Sequence, residues 1–104
     1  MAKKAPRGLG ALDRGVRAQR FTERVDWVNG RLRTSGPITP LAADLLAGTA
    51  EQLRRAGHAR VVVDVHAGHP PDEEELIALA AVADDLRGHH CELIVLSEEE
   101  EYVW

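Results

Sequence analysis

The sequence predicts an α/β fold: a small layer sandwich with helices against a mixed sheet that contains a parallel βαβ unit. Three observations predict it. Residues 59–65 form a nearly continuous β-branched run built on Val61, Val62, Val63 and Val65. Two segments open with helix-start signals and continue with apolar residues at helical spacing. Strand and helix signals then alternate along the chain, as a layered α/β fold requires. At 104 residues there is room for one domain.

The elements follow in order. Residues 1–20 read as a flexible basic tail. Lys3, Lys4, Arg7, Arg14, Arg17 and Arg20 sit among glycines with little apolar content. Aromatic residues and a nucleic-acid-binding motif are both lacking there, so nucleic acid is not the favoured partner. Residues 21–34 carry strand-type side chains, among them Phe21, Val25, Trp27, Val28 and Leu32. Asn29-Gly30 within them marks either a tight hairpin turn or a bulge in one longer strand. Ser35-Gly36-Pro37 ends this region.

Thr39 caps the first helix and Pro40 takes its first position, where a missing N–H costs nothing. The spacing assigns Leu41, Leu45, Leu46, Thr49, Ala50 and Leu53 to the sheet-facing stripe. Arg54 and Arg55 suit the negative end of the helix dipole, and Gly57 suits a left-handed terminus. The β-branched run after it reads as a strand apolar on both faces, of the kind found in a sheet covered by helices. After the loop at residues 66–71, Asp72 caps the second helix and Glu75 completes a capping box. Leu76, Leu79, Ala80, Ala83 and Leu86 are its expected buried stripe, and Gly88 ends it. Residues 91–96 form the next buried strand, parallel to the first by a right-handed crossover.

Composition narrows the function. No apolar stretch is long enough to cross a bilayer, so no membrane role is expected. Cys91 is the only cysteine, which favours a reducing cytoplasm. Charge is divided sharply. Up to Arg60 the chain holds twelve basic and five acidic residues, and beyond it one basic and twelve acidic. The halves stand near +7 and −11, an asymmetry that either steers a partner or only solvates two surfaces.

Val28-Asn29-Gly30-Arg31-Leu32, the helix from Leu41 to Gly57, and Arg60-Val61-Val62-Val63-Asp64-Val65 carry a likeness to a known family. Asp72, eight residues beyond Asp64, stands where that family has the Asp of an Asp-Ser-Ser-Gly-Leu signature. Leu76 matches its Leu, and residues 92–96 its next strand. On these residues the chain resembles the STAS domain family, the fold of bacterial anti-sigma-factor antagonists, over residues 25–96. The resemblance implies a cytoplasmic, non-catalytic module of transcription regulation, partnered by an anti-sigma kinase or another STAS-controlled regulator. Its contact surface would comprise Asp64, His66, His69, Asp72, Glu73, Glu74 and Leu76.

Two departures qualify the likeness. In the family the Ser after the signature Asp is phosphorylated, which abolishes partner binding. Here Glu73 occupies that place, and no Ser or Thr occurs between Val61 and Leu96. A carboxylate at a helix N-terminus carries one negative charge where phosphoserine carries nearly two. Glu73 therefore reads as a phosphate mimic, as the mark of a lost site, or as one of four acids capping a helix. The family also continues with another helix where this chain ends in Glu98-Glu99-Glu100-Glu101-Tyr102-Val103-Trp104. The domain over residues 21–104 therefore reads as truncated, with the last three residues folding back or meeting a second subunit in a homodimer.

The same residues admit other chemistry. His66, His69 and Asp72 have metal-ligand types at plausible spacing, and His89, His90 and Cys91 form a second group. The crossover helix holds the two groups roughly 20 Å apart. His66, His69, Asp64 and Asp72 also lie where ligands meet open α/β sheets, and could serve as acid and base. No nucleophile elbow or phosphate loop accompanies them. Neither a cofactor nor a resident metal is expected. A metal-binding or catalytic domain, or a structural subunit assembling through its C-terminal surface, stands as the alternative.

Overall fold

The structure is a computed structural model that describes residues 21–97 and 100–104. The basic tail at residues 1–20, with Glu98 and Glu99, lies outside the described residues. A hairpin comes first: β1 (Thr22–Asp26) pairs antiparallel with β2 (Arg31–Ser35). The turn between them has four residues, so the Asn-Gly signal marks a hairpin and not a bulge. Asp26 builds that turn. Its carboxylate accepts the Val28 and Asn29 amides, each at 3.1 Å, and the Asn29 side-chain amide at 2.8 Å. These bonds, the side-chain one foremost, hold the Asp26 carboxyl below the usual carboxylate range. Gly30 closes the turn at φ +68°, a left-handed conformation that glycine adopts without strain.

The rest follows as α1 (Pro40–Arg55), β3 (Arg60–His66), α2 (Glu73–Arg87), β4 (Glu92–Ser97) and β5 (Glu100–Val103). The sheet order is β1-β2-β3-β4-β5, with β2, β3 and β4 mutually parallel and β1 and β5 antiparallel at the edges. This is the predicted mixed α/β sheet with its parallel βαβ unit. The segment at the C-terminal end folds back as β5, an element absent from the expected order. Tyr102 on β5 packs against the core and stacks with Trp104 at 6.4 Å between ring centroids.

Both helices lie on one face of the sheet. Leu32, Val61, Val63, Val65, Leu93 and Val95 point inward and meet Leu46, Leu53, Leu79 and Leu86 in one aliphatic core. Each such leucine removed from water contributes about 1.5–3 kcal/mol. Val62, Ile94 and Leu96, on the other parity, are only half-buried. The expectation of a strand covered on both faces is therefore corrected: among the described residues no helix covers the second face. Arg31, Arg33, Asp64 and His66 share it, because residues two apart on a strand point the same way.

The helix boundaries match the caps. The Thr39 hydroxyl accepts the Ala42 amide at 3.1 Å, Pro40 opens α1, and Gly57 takes φ +111° just past its end. The buried stripe of α1 differs from expectation. Ala42, Ala43, Leu46, Ala50 and Leu53 face the core, whereas Leu41 and Leu45 are 70% and 52% exposed. In α2, Glu75, Leu79, Val82, Ala83 and Leu86 are buried, while Leu76 and Ala80 are half-buried. Three alanines thus lie on the buried face of α1, and the bulky Leu41 and Leu45 point outward.

Candidate functional site

Parallel strands joined by helices place every β-to-α loop at one end of the sheet. The β2–α1 and β3–α2 loops and both helix N-termini gather there. Asp72 heads α2 as its cap: Asp72 Oδ1 accepts the Glu75 amide at 2.8 Å, and Glu75 Oε1 accepts the Asp72 amide at 3.1 Å. The box is completed by burial. Glu75 is 94% buried, and its second oxygen, Oε2, accepts the Ile38 amide at 2.9 Å. One side chain thus ties the head of α2 to the segment that leads into α1. His69 Nε2 lies 3.1 Å from Glu75 Oε1.

Around this buried anchor the surface is mixed. Asp72, Glu73 and Glu74 are exposed, with Glu73 and Glu74 in the first turn where the helix dipole favours anions. A groove of about 460 Å³ runs between the two helix heads, walled by Pro37, Ile38 and Pro40 on one side and His69, Asp72 and Glu74 on the other. Leu41 and Leu45 in the first turns of α1 and Ile77 in α2 are exposed at the same end, Ile77 by 62%. Apolar side chains beside a carboxylate cluster form a surface suited to protein contact and lack the enclosure of a substrate cavity.

The structure divides the predicted site set. His69, Asp72, Glu73, Glu74 and Leu76 gather at the head of α2. Asp64 and His66 do not join them. They lie on the uncovered sheet face, where Asp64 pairs with Arg31 at 3.4 Å and stands 3.7 Å from His66. Sequence reasoning missed the second task of Glu75. The capping-box spacing identifies its bond to Asp72, but its bond to Ile38 depends on tertiary packing between residues 37 positions apart. It also missed the groove's far wall, formed by the residues around Pro37.

The metal reading finds a different trio. His66 Nε2 accepts from Arg33 Nε at 3.3 Å and is not among the clustered ligand-type atoms. His69, Asp72 and Glu75 do bring ligand-type atoms within 4.8 Å of one another. Three backbone amides, of Ile38, Asp72 and Glu75, already donate to those two carboxylates. The positive end of α2 also opposes a cation there. The trio is accounted for as a helix cap. Cys91 is buried in the core, and burial pushes its thiol pKa up, the reverse of what a nucleophile needs. His89 and His90 are exposed at the opposite end of α2, with His90 at φ +62° after the helix.

Fold and site together define a two-layer α/β domain whose second sheet face is uncovered among the described residues, with an acidic, partly apolar loop end. No family model, curated protein or solved structure matches the chain. Among the described residues no helix is long and apolar enough to cross a membrane.

Proposed function

We propose that the chain is a non-catalytic protein-interaction module of STAS-like type, docking a regulatory partner through the head of α2 and the adjoining head of α1. The observation that carries the reading is the setting of Glu73. It is the first residue of α2, exposed, beside the mouth of a parallel sheet, with Leu41, Leu45 and Ile77 exposed at the same end. The order β2-α1-β3-α2-β4 with parallel strands supports the likeness read from residues 25–96. A fixed carboxylate replaces the switchable hydroxyl, so binding here is constitutive in either sense: held on by a partner that tolerates the charge, or held off from one that requires a neutral serine. The anti-sigma kinase class is the partner chemistry the likeness implies.

The test compares affinity capture from native lysate by the intact protein and by Glu73→Ser, Glu73→Lys, Leu41→Asp and Arg31→Gln. A partner retained by Arg31→Gln, lost with Leu41→Asp and changed by both Glu73 variants supports the reading. Labelling of Glu73→Ser by a co-captured kinase adds the family's chemistry. A partner whose recovery is equal across all five proteins overturns it.

A further inference from the structure

The uncovered sheet face carries an arrangement that packing does not explain. Arg24 on β1 and Arg33 on β2 are direct cross-strand partners. Both are exposed on the same face, because their neighbours Glu23, Val25, Leu32 and Thr34 point to the helix side. Like charges directly opposite on adjacent strands are destabilising, and among the described residues neither arginine pairs with a carboxylate. Asp64 stands directly opposite Arg33 across β2 and β3, but its carboxylate is turned to Arg31, one rung away, at 3.4 Å. The next rung places Thr22 opposite Ser35, and Ser35 opposite His66. Two guanidiniums, an imidazole and two hydroxyls thus share one corner of the sheet. Together with Glu23 and Thr34, from the helix-facing side of the same strands, they line a groove of about 560 Å³. Arg33 Nε is oriented by His66 Nε2 at 3.3 Å, which fixes one of the two forks.

We propose that this corner, formed by Arg24 and Arg33 with the hydroxyls of Thr22 and Ser35, and with His66 orienting Arg33, binds the phosphate group of a small ligand. Cross-strand partners hold their Cβ atoms about 4.5–5.5 Å apart, so both guanidiniums reach one tetrahedral anion. A phosphate has enough acceptor oxygens for two forks and a hydroxyl, whereas a single fork already satisfies a carboxylate. The anion also relieves the repulsion between the arginines, so binding and folding are linked. The groove is larger than a phosphate and leaves space for an attached organic group. The site rests on the strand register and stands whether or not the α2 surface docks a protein.

The experiment titrates the full chain with inorganic phosphate, methyl phosphate and acetate at fixed ionic strength. It follows amide and arginine Nε–H resonances together with the thermal midpoint. Phosphate should shift residues 22, 24, 33, 35 and 66 and raise the midpoint. Arg24→Gln and Arg33→Gln should each weaken binding at least about tenfold, since each removes charge-assisted bonds to the anion. Arg24→Gln should not lower the midpoint in phosphate-free buffer, because it removes a like-charge contact. Arg31→Gln, on the neighbouring rung, should retain binding. Tighter binding of methyl phosphate than of inorganic phosphate would identify a phosphomonoester as the ligand, and the reverse would identify the free anion. Equal shifts with acetate, equal loss in Arg31→Gln, or a midpoint that falls in Arg24→Gln without phosphate would overturn the proposal.

Discussion

Replacing Glu75 by alanine removes three hydrogen bonds at once, and each has a different weight. The Ile38 amide donates to Oε2 at 2.9 Å inside the protein, where Ile38 itself is only 4% exposed. Left without an acceptor, that buried N–H costs about 1–3 kcal/mol. The Asp72 amide loses half of a capping box, worth about 0.3–1.5 kcal/mol. His69 is nearly half exposed, so water replaces its bond at little cost. The sum is about 1–4.5 kcal/mol out of a total stability of about 5–15 kcal/mol for a domain. Glu75→Gln keeps the shape, but its amide nitrogen must face one of two N–H donors, so about 1–3 kcal/mol is expected. Urea unfolding at neutral pH measures the totals. Hydrogen exchange at Ile38 localises them, because that amide should exchange faster in both variants than in the parent, relative to amides in the middle of α2. Glu74→Ala, one residue earlier and exposed, should stay within about 0.5 kcal/mol. A Glu75→Ala variant as stable as Glu74→Ala, with Ile38 exchange unchanged, would refute the claim that one carboxylate joins the two helix heads.

Three further outcomes follow from the packing. Gly30→Ala should destabilise by about 2–4 kcal/mol, combining a left-handed backbone with steric conflict, because the new Cβ would meet the His58 ring at 2.7 and 2.9 Å; Gly57→Ala, also at positive φ but in open space, should cost about half as much, and thermal unfolding separates them. Leu46→Ala should cost about 2–5 kcal/mol while Leu41→Ala is near neutral, a contrast that denaturant midpoints read directly and that reverses if the two leucine stripes of α1 are exchanged. The Arg54 guanidinium, then that of Arg55, holds the Glu51 carboxyl at about 2 against an ordinary 4.5. A lowered folded-state pKa stabilises above the unfolded value and loses that stabilisation as pH falls towards the folded one. Glu51→Gln should therefore lower the thermal midpoint at pH 6 and have progressively less effect from pH 4.5 down to 2, by an amount kept small through solvent screening.

The βαβ core was legible because its signals are local. Thr39-Pro40 and Asp72 with Glu75 mark helix starts through bonds made within four residues, and the valines of β3 have high strand propensity. The uncovered face was not expected, although parity marks it. Arg60, Val62, Asp64 and His66 alternate with Val61, Val63 and Val65, yet the run of β-branched residues conceals that alternation from a reading by composition. Parity alone assigns Asp64 and His66 to a different face from the buried valines. The face of α1 was harder, because two stripes compete: Leu41 and Leu45 on one, Ala42, Ala43, Leu46 and Ala50 on the other. Hydrophobicity favours the first, whereas the second is the stripe that is buried. β5 is hidden by its own acids. Among its four residues only Tyr102 turns inward, so the stretch reads as a charged tail.

Spatial order in this sheet repeats order along the chain, from β1 at one edge to β5 at the other. Each strand therefore finds its hydrogen-bonding neighbour already laid down when it leaves the ribosome, and none must be threaded between two that are paired. Growth is by addition to a single advancing border, which lowers the entropy lost in bringing distant segments together. That border stays open longest at β3, whose outer backbone groups wait for residues 92–97 to arrive after 25 intervening residues. A nascent chain halted just short of them would present a bare, aliphatic strand rim, the kind of surface that chaperones hold and that recruits other unfinished copies.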